Sequence, residues 1–256
     1  MLALSFWLPE DISTHGHQID ALIVFVHWFM ALLFVGWGIY FVYCLFRFRA
    51  GNGRTAQYQM IKAKPSKYSE IAVVAVEAVL LIGFAIPLWA AYRGDRPAAD
   101  KALTVRVVAQ QFAWNIHYPG PDGVFGRTEP ALVDEVLNPI GLDESDAAAA
   151  DDVVSVNEFY IPKDRPVIVR LSSKDVIHSF SIPVLRIKQD AVPGMMVPIW
   201  FEATKTGEWD IQCAQLCGLG HYRMRGQLKV LEPAAFEDWY ATAGVVEEFL
   251  EDDFDD

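Results

Sequence analysis

The sequence predicts two N-terminal transmembrane helices, arranged as a hairpin, followed by one all-β domain. Three observations carry this. Two apolar stretches, 21–46 and 71–92, each reach the ~20 residues that a helix needs to cross a bilayer. From about residue 93 the pattern changes to short β-branched runs separated by Gly, Pro and Asp, which reads as a β-sandwich or barrel. A length of 256 residues with 53% hydrophobic composition suits an anchor plus one domain of ordinary size.

Each element follows from its residues. Residues 1–20 form an extramembrane segment. The first apolar stretch has no charged residue between Asp20 and Arg47. It is not read as a cleavable signal peptide, because the segment before it holds Glu10, Asp11 and Asp20 and no Lys or Arg. The loop 47–70 carries Arg47, Arg49, Arg54, Lys62, Lys64 and Lys67 with no acid before Glu70, so the positive-inside rule makes it cytoplasmic. Both termini and the β domain then face the periplasm or cell exterior of a bacterium, with the protein in the inner membrane. Trp28, Trp37, Tyr40, Tyr43, Trp89 and Tyr92 are candidates for the interfacial aromatic belts.

In the domain 93–233, strand-like runs occur at 103–108, 153–156, 167–171, 197–201, 209–213 and 227–231. The segment 126–152, rich in acids and holding the alanine run 147–150, reads as a mobile surface insertion. Residues 235–243 suit a short helix, and 247–256 form an acidic tail.

The formal net charge of −12 argues against nucleic acid, whose phosphates need clustered Lys and Arg. It favours basic partners instead. Three cysteines, an odd number, do not make a disulfide framework. Cys44 lies in the first apolar stretch and reads as a buried thiol.

The remaining two define the chemistry. The segment Cys213-Ala-Gln-Leu-Cys217-Gly-Leu-Gly-His221-Tyr-Arg-Met224 places four soft or borderline ligands within twelve residues, between two strand-like runs. Thiolate and thioether select copper, and imidazole suits it. Met224 argues against zinc, for which a thioether is a poor ligand. The alternatives for the pair are a disulfide, or zinc bound with His221 and His178. One loop cannot enclose two metal ions, and His178 in Asp175-Val-Ile-His178-Ser-Phe is the best further ligand, at the end of a strand. His15, His17, His27 and His117 lie in less suitable places.

These residues closely resemble subunit II of haem–copper oxidases, whose motif Cys-x-Glu/Gln-x-Cys-Gly-x-Gly-His-x-x-Met is matched in full. His178-Ser-Phe-Ser-Ile-Pro183 and Lys188-Gln-Asp190-Ala-Val-Pro193-Gly194 resemble the family's upstream motifs, so the resemblance covers nearly the whole chain. It implies a cupredoxin-like Greek-key barrel with a dinuclear copper A centre. Cys213 and Cys217 would bridge both coppers, His178 and Met224 would complete one, and His221 and the backbone carbonyl of Gln215 the other. Electrons would arrive from cytochrome c and pass to haem in subunit I, where oxygen is reduced and protons are pumped.

The departures are specific. Gln215 stands where many members have the Glu that reaches magnesium, so the carbonyl is kept and the charge for magnesium is lost. Phe112 replaces the usual Trp of the electron-input patch, which here reads Gln111-Phe112-Ala-Trp114, leaving Phe112 and Trp114 as candidates. Met195 replaces a common Arg. No Cys-x-x-Cys-His haem motif is present, so the donor is a separate carrier, and the acidic surface and tail suit a basic one. The bland reading of the tail is solubility.

Glu70-Ile-Ala-Val resembles the family's Glu-Ile-Ala-Trp, whose Glu marks a proton-uptake mouth. The competing reading of Glu70 is a helix-start acid favoured by the macrodipole. Glu77, two turns deeper in the apolar stretch, is costly there and is expected to face subunit I. Other functions that share features are a nitric oxide reductase copper subunit, a membrane-anchored copper carrier and a zinc-stabilised binding module. Quinol oxidase subunits lack these ligands, and nitrous oxide reductases lack the anchor.

Overall fold

The computed structural model describes residues 8–51, 53, 55, 58, 64–94 and 96–243. Arg54, Lys62 and the acidic tail 247–256 lie outside the described residues. The chain forms a helical unit within 17–95 and a β unit made of 9–16 together with the residues from 96 onward.

In the helical unit, α1 spans Gly16–Arg47 and a second run comprises α2 (Lys64–Leu80), a single π-turn (Leu81–Ala85) and α3 (Ile86–Gly94). Both runs are long and apolar enough to cross a membrane. They expose Phe34, Trp37, Phe46 and Trp89, side chains that water would not tolerate in such number. The second run begins at Lys64 rather than 71. Pro65 sits in its first turn, where a missing N–H costs nothing, and the polar residues after it are helix-compatible. Glu70 therefore lies well inside α2 rather than at its start, and the helix-start reading of this carboxylate is corrected. The π-turn precedes Pro87, which has no N–H to donate four residues back and whose ring would crowd a regular turn. Ile86 donates instead to the Leu81 carbonyl, five residues back.

The β unit has ten strands: β1 (Leu103–Gln110), β2 (Ala113–Tyr118), β3 (Val153–Val156), β4 (Glu158–Pro162), β5 (Pro166–Ser173), β6 (His178–Ile182), β7 (Ile187–Ala191), β8 (Val197–Glu202), β9 (Gly207–Cys213) and β10 (Arg225–Leu231). They form two five-stranded sheets, in the orders β3-β2-β1-β5-β8 and β4-β10-β9-β6-β7. β1 runs parallel to β5 and β4 parallel to β10, while the other pairs are antiparallel. This is the cupredoxin-like sandwich. β1 buries alternate residues, and Val105, Val107 and Ala109 meet Phe159, Phe180 and Ile211 between the sheets.

Two attachments close the sandwich. The helix α4 (Pro233–Thr242) buries Phe236 and stacks Trp239 on Tyr160 at 4.2 Å. At the other end of the chain, Ile12 is fully buried in the β core, and its N–H and carbonyl bond to the Val184 carbonyl and Thr204 N–H. Arg186 donates to the carbonyls of Pro9 and Glu10, and Lys205 pairs with Glu10 at 2.5 Å.

The insertion 126–152 is folded into hydrogen-bonded turns. Asp134 accepts from Val136 and Leu137 N–H, Asp143 pairs with Arg127, and Thr128 bridges to Leu142. Its base is fixed by Asp152, buried against His117 at 2.6 Å.

Candidate metal centre

Three elements bring the predicted ligands together. β9 ends on Cys213, and the loop to β10 carries Cys217, a short 3₁₀ turn His221–Arg223, and Met224. β6 begins on His178 and pairs beside β9 through Phe180 and Cys213. The Ala214 N–H donates to the Ser179 carbonyl, which locks the first turn of the loop to the strand that carries His178.

The donor atoms converge. One nitrogen or sulfur from each of His178, Cys213 and Cys217 lies within 4.8 Å of the other two. His178 Nδ1 is 3.2 Å from Met224 Sδ and 3.9 Å from Cys213 Sγ. Cys217 Sγ is 3.8 Å from Cys213 Sγ, 3.6 Å from His221 Nδ1 and 3.7 Å from Met224 Sδ. The Gln215 carbonyl lies 3.2 Å from Cys213 Sγ. Cys213 Sγ thus neighbours His178 and the Gln215 carbonyl, and Cys217 Sγ neighbours His221 and Met224. Both thiols are free, so no disulfide uses them.

This arrangement fits metal rather than a hydrogen-bonded core. His178 Nε2 lies 2.9 Å from Asp175 Oδ1 and donates to it, so Nδ1 presents a lone pair. That lone pair faces the sulfur of Met224, another electron-pair donor, and a cation between them resolves the conflict. His178, Cys217 and Met224 are buried, so the donors are kept from water. Burial, then the neighbouring Cys213, pushes the Cys217 thiol up to about 11. Metal binding must therefore displace a firmly held proton. Burial alone would raise the Asp175 carboxyl. Bonds from His178 and from the N–H groups of Gln111 and Val176 outweigh it and hold the group below its usual range.

The glycines of the loop have a steric reason. A Cβ on Gly220 would strike the Phe112 ring, and one on Gly218 would come within 2.6 Å of Gln111 Nε2. Gly218 also has φ +134°, which disfavours a side chain. Phe112 thus lies flat against the loop, with the Arg223 guanidinium 5.8 Å from its ring centre. Trp114 is fully buried and meets the His178 ring edge-on at 6.1 Å. Around the loop Leu216, Leu219 and Tyr222 are 79%, 97% and 88% exposed, a concentration of apolar surface beside the donors. Sequence reasoning did not single out Asp175 or Gln111 as functional. The strand-end spacing Asp175-x-x-His178 was the available signal for the first.

Fold and donor set together define a membrane-anchored cupredoxin-like protein whose loop gathers thiolate, imidazole and thioether around one place. The family model for the periplasmic domain of cytochrome c oxidase subunit II matches residues 103–230. The chain is 34% identical over 236 residues to the alternative cytochrome c oxidase subunit 2 of Bradyrhizobium diazoefficiens, covering 91% of this chain and 82% of that one. It is 27% identical to cytochrome c oxidase subunit 2 of Cereibacter sphaeroides, over 91% of this chain and 78% of that one. Among solved structures it is similar to the periplasmic domain of subunit II of cytochrome oxidase from Bradyrhizobium japonicum, with 31% identity, 57% of this chain and 95% of that chain covered, and a TM-score of 0.42. The chain belongs to the subunit II family of cytochrome c oxidases, and is a subunit of an oxidoreductase complex that includes subunit I.

Proposed function

We propose that this subunit receives electrons from a cytochrome c and passes them to haem in subunit I, through a dinuclear copper A centre. The observation that carries the reading is the pair of thiols 3.8 Å apart, with His178 and the Gln215 carbonyl beside Cys213 and with His221 and Met224 beside Cys217. Copper bound there supplies a one-electron acceptor whose charge is spread over both thiolates. The chain's own residues do the rest. Cys213, Cys217, His178, His221 and Met224 supply soft donors from two loops pinned to one sheet, so little rearrangement accompanies a change of charge. Asp175 fixes the tautomer of His178. Phe112, lying on the loop, takes the place of the electron-input ring, and Trp114 backs His178 from the core.

Gln215 serves through its backbone, and its uncharged side chain argues against a magnesium site. The basic residues between the apolar stretches support a periplasmic β unit, with Glu70 at a proton-uptake mouth on the cytoplasmic side. The names of the relatives favour oxygen over nitric oxide as the complex's substrate.

Metal analysis and electron spin resonance of the purified full-length chain test this. The expected result is two coppers per chain, a purple colour and a multiline signal from one electron shared between two nuclei. One zinc per chain without colour would sink the proposal.

A further inference from the structure

Gln111 stands outside the donor set yet touches both loops that supply it. β1 and β2 belong to one sheet, and the donors sit on the other. Only two residues, Gln111 and Phe112, connect these strands, so the tip of this hairpin leans across the end of the sandwich. The Gln111 backbone N–H donates to Asp175 Oδ2 at 2.7 Å, while the other oxygen of that carboxylate holds His178 Nε2 at 2.9 Å. The Gln111 side-chain Nε2 donates to the Cys217 carbonyl at 2.5 Å. One residue therefore links the support of His178 to the backbone of Cys217, from the opposite sheet.

The hairpin tip is itself braced. Asn115 Nδ2 donates to the Val108 carbonyl and to Gln110 Oε1, each at 3.1 Å, which ties β2 to β1 just behind the turn. The loop makes room for the contact, since a side chain at position 218 would collide with the Gln111 amide.

We infer that Gln111 is a positioning residue: it sets the separation of His178 from Cys217, and with it the geometry offered to the metal. This rests on the copper reading given above. The backbone bond to Asp175 survives any substitution other than proline, so the side-chain bond to Cys217 is the part that mutation can isolate. The Cys217 sulfur lies within 3.8 Å of the Cys213, His221 and Met224 donors, so release of the Cys217 carbonyl loosens several donors together. Supporting bonds of this kind, when removed, typically cost 10–100-fold in metal affinity or activity.

Two variants of similar length remove the donor without emptying the space: Gln111→Met and Gln111→Glu. In the full-length, copper-loaded chain, both are expected to release copper to a chelator about tenfold faster or more. Both should also shift the visible and electron spin resonance spectra, while the melting temperature of the metal-free protein stays at the wild-type value. Unchanged spectra and release rates overturn the inference. Faster release with a lowered metal-free melting temperature and an unaltered spectrum also overturns it, since that is the mark of general destabilisation. A wild-type chain that takes up no copper defeats the metal reading and leaves the clamp measurable. Cys217 alkylation in the metal-free protein, followed by peptide mass mapping, is then faster in both variants if Gln111 holds the loop. Equal rates refute the clamp.

Discussion

Single side chains at the centre differ in what they can be asked to show. Met224 is buried, and its sulfur faces His178 Nδ1. Met224→Leu keeps size and apolarity, so the fold should lose less than about 1.5 kcal/mol. The spectrum of the copper-loaded chain should change and onward electron transfer should slow, because the thioether donor is gone. Unchanged spectra and turnover would remove Met224 from the donor set. The residue types of the loop made these donors legible in the sequence, since thiolate, imidazole and thioether select a metal by chemistry alone. Gln111 was not legible as a support, because its bonds to Asp175 and Cys217 span 64 and 106 positions of sequence and depend on the sandwich closing first. A different residue carries a pH prediction. His117 is buried against Asp152 and Arg106, and burial first, then Arg106, depresses its pKa below 6.5 against the opposing pull of Asp152. Below that value the unfolded chain takes up a proton that the folded chain refuses. Stability therefore falls with falling pH, by at most about 1.4 kcal/mol per pH unit. Urea unfolding of the metal-free protein should show this slope, and His117→Gln should lessen it.

At the scale of elements, the loop and the hairpin tip fit as surfaces. Gly220→Ala drives a methyl group into the Phe112 ring, and overpacking of this kind typically costs 1–3 kcal/mol. The expected outcome is a folded domain with weaker copper retention, read by chelator competition. Phe112→Ala should restore retention in the double variant if the clash is the cause. The six strand-like runs of the sequence are all strands, and the short helix near 235–243 is α4. The four missed strands are β2, β4, β6 and β7, and their reasons differ. β2 buries Trp114, Asn115, Ile116, His117 and Tyr118 in succession, and β6 buries all five of its residues. Neither alternates in burial, and although Trp114-Asn115-Ile116-His117-Tyr118 and Ser179-Phe180-Ser181-Ile182 alternate in residue type, both runs are short and hold one β-branched residue each. β7 carries Lys188, Gln189 and Asp190 and pairs only with β6, at the sheet edge. The strap at Ile12 was equally hidden, since one isoleucine among polar residues has no periodicity. Ile12→Ala empties a fully buried site and should lower the stability of the β unit by roughly 2–5 kcal/mol, measured by thermal or urea unfolding.

For the whole molecule, the strap constrains topology. Residues 9–16, just before α1, and the residues from 96 onward, just after α3, belong to the same β unit. Both ends of the helical pair are then expected on one side of the membrane, whatever direction the pair takes. Loop charge decides the direction. Arg49, Arg54 and Lys62 lie between the helices, and Arg47, Lys64 and Lys67 lie in the helix turns that flank them; a basic segment of this length is retained in the cytoplasm. The β unit is accordingly expected outside. Single cysteines report it: Ala131→Cys on the exposed insertion and Gly51→Cys in the loop. A membrane-impermeant thiol reagent applied to spheroplasts should label position 131 at once and position 51 only after permeabilisation. The native thiols give little background, because Cys44 lies in the apolar span and Cys213 and Cys217 are engaged when copper is bound. Labelling at position 51 in sealed spheroplasts, with position 131 protected, would reverse the orientation. It would also put the copper centre on the wrong side for a periplasmic cytochrome c, so the same experiment bears on the proposed donor.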